Sequence, residues 1–112
     1  MPLTFFMLLK ALPAWLPLDR EQRRAFRDEV LMPIFALHPA TSLRYYDAEA
    51  FSGRCSDIAV FETTAVSDYY GLVEALRDSP FFSAPYFDLV DIIPALENGY
   101  RTYEAATRNG GE

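Results

Sequence analysis

The 112-residue sequence has almost no cysteine or histidine, with one of each, Cys55 and His38. A single cysteine excludes an intramolecular disulfide framework. One cysteine and one histidine together are also too few for the usual multi-cysteine and cysteine–histidine zinc sites. Basic residues are also few: 10 Lys and Arg stand against 16 Asp and Glu, for a net charge of −6. General nucleic-acid binding depends on an excess of basic residues that displaces counterions from phosphates. We therefore expect neither a metal site nor a nucleic-acid partner.

Long hydrophobic runs and glycine-rich motifs are absent as well. No apolar run approaches the ~20 residues of a membrane-spanning helix, and the apolar start lacks the basic residues of a signal peptide. The five glycines form no pattern that would cradle a phosphate, which argues against nucleotide and dinucleotide cofactors. We expect a cytoplasmic protein with no membrane association and no cofactor.

Hydrophobic residues are plentiful, at 51% of the chain, which excludes intrinsic disorder. The length predicts a single domain, which we assign to residues 1–108, with a disordered tail over 109–112. Aromatic residues make up 15% of the chain. Since each buries ~150–250 Å², a domain of this size is expected to share part of that surface with a ligand or a second subunit.

Periodicity predicts strand, helix, strand, strand, helix, strand and a C-terminal helix. The predicted strands are 3–12, 41–51, 57–63 and 87–93, and the predicted helices begin at Asp19, Ser67 and Asn98. An aromatic loop is expected over 81–85. This order is typical of an α+β, ferredoxin-like βαββαβ fold, in which both crossover helices cover one face of a four-stranded antiparallel sheet.

The first helix carries the clearest local signals. Asp19 and Gln22 form a capping-box pattern, and Pro33 predicts a kink or an early end. Residues at helical spacing form the predicted buried stripe: Phe26, Val30, Ile34 and Leu37.

The first strand is apolar on both of its faces, so the helix-free face of the sheet needs a cover. A second copy related by two-fold symmetry provides one, which predicts a homodimer.

Four segments resemble the darcynin family. They are YYDAEAFSGRCSDIAVF (45–61), PYFDLVDIIPALENGY (85–100), TFFMLLKALPAWL (4–16) and REQRRAF (20–26). The resemblance implies a small bacterial protein of unassigned activity with the plan of a dimeric α+β barrel. That superfamily includes cofactor-free monooxygenases, muconolactone isomerases, haem-handling enzymes and stress proteins. No catalytic residue carries over from the resemblance.

Charged and polar residues within the strands are the candidate catalytic groups. We assign Arg44 as an anchor for an anion or carbonyl, Tyr46 as a hydrogen-bond donor and Asp57 as a proton shuttle. A carboxyl group in an apolar cleft has a raised pKa and can move protons. In the alternative interpretation, Arg44 forms a structural ion pair with Asp57, Asp88 or Asp91, because a strand guanidinium without a partner is costly. Alternatively, these charged residues lie at sheet edges and at the rim of the dimer.

Aromatic residues outside the strands are candidate ligand contacts: Trp15, Phe82 and Tyr86 line either a cleft or a subunit interface.

The first helix carries a basic stripe, which we interpret either as a solvated face or as an anion-binding patch. The stripe consists of Arg20, Arg23, Arg24 and Arg27.

Two functions remain open. The first is binding of a small hydrophobic or aromatic metabolite in a helix–sheet cleft, with cofactor-free oxygenase, isomerase or cyclase chemistry. The second is a non-catalytic homodimeric interaction or stress module. An apolar cavity of ~300 Å³ or more with converging polar groups would favour the first.

Overall fold

The computed structural model describes residues 1–108, and the predicted disordered tail over 109–112 lies outside the described residues. Four strands and five α-helices follow the predicted order. They are β1 (Leu3–Ala11), α1 (Arg20–Phe26), a π-helical turn (Arg27–Leu31), α2 (Met32–Ala36), β2 (Thr41–Asp47), β3 (Asp57–Thr63), α3 (Val66–Asp78), α4 (Pro80–Ser83), β4 (Phe87–Ala95) and α5 (Gly99–Arg108).

The strands form one antiparallel sheet in the order β2-β3-β1-β4. The predicted ferredoxin-like α+β fold is therefore confirmed. Two register pairs matter for the site: Asp57 of β3 lies opposite Leu9 of β1 and opposite Asp47 of β2. The end of the sheet where β1 finishes is consequently also the end that carries these two carboxylates.

The core lies between one sheet face and α3. Met7 and Leu9 of β1 are fully buried, as is Leu72 of α3 at 1% exposure. Tyr69 of α3 stacks on Phe5 with ring centroids 3.7 Å apart. Side chains alternate between the two faces of a strand. The neighbours of these buried β1 residues therefore point to the opposite, helix-free face of the sheet.

The first helix begins as predicted. The Gln22 backbone N–H donates to Oδ1 of Asp19 at 2.8 Å, and the Asp19 N–H donates to Oε1 of Gln22 at 2.9 Å, so the capping box is confirmed.

The predicted buried stripe of this helix is partly wrong. A π-helical turn, which adds one residue to a helical turn, occupies Arg27–Leu31, just before Pro33. It displaces the stripe by one position, so that Leu31 rather than Val30 packs on the core. Leu37, predicted to be buried, is 77% exposed.

Three other segments differ from prediction. The second strand ends at Asp47, earlier than expected, and the predicted aromatic loop contains the short helix α4. The last strand continues through Pro94 to Ala95. Because β4 is an edge strand, a proline without an N–H is tolerated there.

The predicted C-terminal helix forms but does not pack back on the domain. None of the residues of α5 is buried, and Tyr100 and Tyr103 are 57% and 71% exposed. A helix supported by little tertiary contact within its own chain leaves its aromatic side chains open to solvent.

Candidate functional site

A cleft of about 1020 Å³ opens between the sheet and the helical segment that runs from α1 to α2. Its floor is apolar and consists of strand side chains that share the core parity: Met7, Leu9, Leu43, Ala59 and Phe61. Its helical wall contributes Leu31, Met32 and Phe35. Because the π-helical turn points Leu31 at the sheet, the apolar lining continues from floor to wall.

Asp57 is the buried carboxyl group of the cleft, with 8% of its surface exposed. It begins β3 and shares a face with Ala59 and Phe61. The Ser56 hydroxyl donates to Oδ2 of Asp57 at 2.7 Å and accepts from the Ala11 N–H at 2.7 Å. This chain of hydrogen bonds connects the carboxylate to the end of β1 and holds its orientation.

Burial raises the pKa of Asp57 above its ordinary value, and the negative charges of Glu49 and Asp47 raise it further. The hydrogen bond from Ser56 acts in the opposite direction but is the smaller effect. Asp57 therefore keeps its proton to a higher pH than an exposed aspartate. A raised pKa of this kind is what a carboxyl group needs if it is to both donate and accept protons in a cleft.

Tyr45 is the hydroxyl group beside Asp57, and the sequence assignment overlooked it. It lines the cleft and lies opposite Ala59 in the β2–β3 pairing. Although 47% of the Tyr45 surface is exposed, desolvation in the cleft raises its pKa above the usual range, and the charges of Asp57 and Asp47 add to the effect. The phenol therefore stays protonated and can donate a hydrogen bond into the cleft.

Three carboxylates meet at this end of the cleft: Asp47, Glu49 and Asp57 each place an oxygen within 4.8 Å of the others. They come together because the β2–β3 loop brings Glu49 back over the strand ends. Such a trio could hold a divalent cation, but acidic groups also cluster without one. The absence of a metal site stays a prediction.

Four arginines line the opposite side of the same cleft: Arg20, Arg23, Arg24 and Arg27. Their spacing places them on one face of the helix. This face borders the cleft over the sheet as well as the solvent. Among residues 1–108, no ion pair links this row to the carboxylates. Two sets of opposite charge thus border one apolar floor without neutralising each other.

The predicted aromatic contacts divide into one lining residue and two supporting ones. Trp15 lines the cleft, and its ring packs 5.1 Å from Phe87 and 5.3 Å from Tyr86, centroid to centroid. Tyr86 and Phe82 are not among the lining residues; Phe82 packs against the ring of Phe81 at 4.8 Å. They hold in place the residues that face the cleft.

Arg44 and Tyr46 lie on the opposite face of the sheet from Asp57. They border a shallower groove of about 520 Å³ on the helix-free face. The predicted grouping of the three is therefore corrected: in the β2–β3 register Tyr45, and not Tyr46, has the parity of Asp57.

Arg44 forms no ion pair within the described chain and is exposed, so the expected pairing with Asp57, Asp88 or Asp91 is wrong. Asp88 and Asp91 are in β4, at the far edge of the sheet from β2. Three strand spacings separate these edges, about 14 Å.

His38 does not line the cleft. Its Nδ1 lies 3.2 Å from Oδ1 of Asp68, whose Oδ2 accepts a hydrogen bond from the Thr41 hydroxyl at 2.8 Å. This contact docks the end of α2 against α3. With the chain's one imidazole engaged elsewhere, a histidine-ligated haem does not fit the cleft.

Replacing Asp57 by Asn tests the buried carboxyl group. Since the folded state raises the pKa of Asp57, its contribution to stability is present below its ordinary value of 3.8 and is lost as the pH rises through the raised value. We therefore expect Asp57→Asn to be more stable than the wild type near neutral pH, and this advantage to shrink on acidification. Urea unfolding across this pH range measures the difference.

The exposed Asp88 provides the control for that experiment. Asp88→Asn, a substitution at an exposed site, should change stability little. An Asp57→Asn variant with a pH-independent difference from the wild type would contradict the raised pKa.

No helix among residues 1–108 combines the length and apolar character needed to cross a membrane.

Solved structures with the same fold include chlorite dismutases. A variant enzyme from Candidatus Nitrospira defluvii superposes with a TM-score of 0.70 at 22% identity, covering 83% of this chain and 39% of that one. A dimeric chlorite dismutase from Nitrobacter winogradskyi gives 0.67 at 21% identity, covering 85% and 57%. The chain thus spans about two fifths to just over half of these proteins, and the likeness establishes the fold alone.

Curated relatives are much more similar in sequence. Darcynin 1 of Acinetobacter baumannii is 53% identical over 88 residues, which cover 79% of this chain and 98% of that protein. Darcynin of Chromobacterium violaceum is 56% identical over 75 residues, covering 67% and 95%. The family model described as "Darcynin, domain of unknown function" matches residues 1–109. The chain therefore belongs to the darcynin family.

Proposed function

We propose that residues 1–108 form one domain that binds a small hydrophobic or aromatic molecule in the cleft between the sheet and α1–α2. The observation that carries this proposal is a space of about 1020 Å³ over an apolar floor with a buried carboxyl group, Asp57, at one end. Ligand pockets are ~300–1,000 Å³, mostly apolar, with a few placed polar groups. A filled core would have favoured a purely structural module.

The polar end of the cleft supports proton transfer to or from the bound molecule. A deprotonated Asp57 can take a proton from an acidic C–H or O–H of the molecule and return it at a second position. The molecule is then isomerised, with no net gain or loss of protons. The protonated hydroxyl of Tyr45 would donate to an oxygen on which charge develops. This chemistry uses the chain's own groups and needs no cofactor.

We further propose a homodimer that buries the helix-free face, and a cytoplasmic location in keeping with the free thiol of Cys55. On this face Phe6, Tyr46 and Ile93 are 38%, 49% and 47% exposed, large apolar surfaces that a second copy would cover. Arg44 and Glu62 border the same face and would lie at or near the interface. A non-catalytic homodimeric module would use the same interface but would leave the cleft without a role.

Binding of N-phenylnaphthylamine, a neutral aromatic dye whose fluorescence rises in apolar surroundings, tests the cleft. We expect saturable binding of one dye per chain. Backbone NMR signals of Leu43 and Ala59 on the cleft floor should shift, whereas those of Phe6 and Val60 on the other sheet face should not.

A pair of variants makes that test specific. Leu43→Gln places an amide on the cleft floor and should weaken dye binding, whereas Tyr70→Gln on the exposed side of α3 should not. No saturable binding, or NMR shifts confined to the helix-free face, would refute the proposed function.

A further inference from the structure

We infer that the ligand of this cleft is an amphipathic anion, whose apolar body lies over the floor and whose anionic group is held by the arginine row of α1. This inference rests on the proposed function, because it names the chemical class of the molecule that the cleft accepts. The row consists of Arg20, Arg23, Arg24 and Arg27. Carboxylates, sulfonates and phosphate monoesters share the required chemistry.

The position of the row relative to the floor is the first support. Arg23 lies over the Trp15 ring, with Cζ 5.3 Å from its centroid, and Trp15 packs on Phe87. Phe87 pairs with Ala11 at the end of β1, two residues beyond Leu9, which lies opposite Asp57. The arginines therefore stand over the same end of the sheet as Asp57, across the width of the cleft.

The hydrogen bonding of Arg23 is the second support. Its Nη2 donates to the backbone carbonyl of Leu16 at 3.0 Å and to that of Trp15 at 3.5 Å. Its Nε is buried and has no acceptor among residues 1–108. A buried donor without an acceptor is costly, and an anionic oxygen would satisfy it with a charge-assisted hydrogen bond. The backbone contacts already hold the guanidinium in one orientation.

Two other arginines of the row are available to an anion. Arg27 is paired, 3.0 Å from Asp28 of its own helix. Arg20 and Arg24 are exposed and form no side-chain hydrogen bond or ion pair within residues 1–108. Guanidinium groups match carboxylate and phosphate oxygens in geometry as well as charge.

The carboxylates across the cleft raise the question of a cationic ligand instead. Asp47 and Glu49 are exposed to water, whereas Asp57 is buried, and burial raises its pKa above the ordinary value. A cation bound there would also face four arginines. The Tyr45 hydroxyl beside Asp57 suits an uncharged carbonyl or hydroxyl group, so the ligand would carry its anion toward α1 and a neutral polar group toward Asp57.

Two dyes that differ by one group test the inference. Anilinonaphthalene sulfonate has the aromatic body of N-phenylnaphthylamine plus a sulfonate, so fluorescence titrations of the full chain with both isolate the contribution of the anion. We expect the sulfonate dye to bind more tightly, and raising the salt concentration to weaken only that dye.

Variants assign the effect to the row. Arg23→Gln should weaken sulfonate binding about tenfold or more, since a hydrogen bond between charged groups is lost, and should leave the neutral dye within about twofold. Arg24→Gln, which removes no side-chain hydrogen bond or ion pair within residues 1–108, should act in the same direction. It keeps the test valid if Arg23→Gln disturbs folding. Arg44→Gln, on the opposite sheet face, is the matched control and should change neither dye.

The outcomes separate this inference from the proposed function. If the neutral dye binds in the cleft but the sulfonate dye binds no better, or if the Arg23→Gln and Arg24→Gln variants bind it like the wild type, the inference is wrong and the cleft assignment stands. If neither dye binds, the proposed function itself fails. An equal effect of Arg44→Gln would place the sulfonate dye on the helix-free face and also overturn the inference.

Discussion

Replacing Leu72 by Asp is expected to abolish the cooperative unfolding transition, leaving a chain that is unfolded or molten at 25 °C. Leu72 is 1% exposed in the middle of α3, inside the core cluster. An unpaired buried carboxylate costs several kcal/mol or more, a large part of the ~5–15 kcal/mol that stabilises a domain. Urea unfolding followed by circular dichroism and by the fluorescence of Trp15 measures the loss.

A second substitution on the same helix controls for the added charge. Tyr70 is 66% exposed and lies two residues before Leu72. Tyr70→Asp should change the free energy of unfolding by less than about 1 kcal/mol, as surface substitutions usually do. If Leu72→Asp instead unfolded with the midpoint of the wild type, α3 would not present this face to the sheet.

Replacing Phe6 by Asp is expected to convert the proposed homodimer into a folded monomer. Phe6 lies between Val60 and Ile93 on the helix-free face and is 38% exposed in the single chain. Loss of a central interface aromatic costs about 2 kcal/mol or more, which weakens association roughly 30-fold or more. Sedimentation velocity at micromolar concentrations detects the change.

Leu37→Asp is the matched control, because Leu37 is also an exposed apolar residue, at 77%, but lies after α2, away from the sheet. It should leave the dimer intact. The cleft is on the other sheet face, so dye binding by Phe6→Asp should persist. A wild-type chain that sediments as a monomer throughout this range would refute the dimer, and dissociation by Leu37→Asp alone would place the interface elsewhere.

The order of the elements was predictable because each depends on local patterns. A short run that is apolar on both faces marked β1, and the reciprocal hydrogen bonds of Asp19 and Gln22 need only three residues of spacing. The π-helical turn could not be predicted in this way. A one-residue insertion leaves no compositional trace, yet it moved Leu31 into the position expected for Val30 and so changed the wall of the cleft.

The candidate site was predictable only in part, because the sequence shows which residues are charged but not which of them face the same cleft. A carboxyl group within a strand made Asp57 a candidate for proton transfer, and the structure puts that residue in the cleft. Its role in proton transfer stays a prediction. The arginine row was visible as a helical stripe, but whether it faced solvent or the sheet depended on how α1 docks. Helix spacing alone does not specify that rotation.

What the sequence determined by itself was therefore the set of elements, the ferredoxin-like order and the residues with capacity for chemistry. What only the tertiary structure decided was which of these residues meet. Tyr45 and Tyr46 are adjacent in one strand and point to opposite faces, so the partner of Asp57 depends on a register set by the β2–β3 loop. A shift of one residue in that pairing would exchange the two tyrosines, and nothing local in the sequence encodes it.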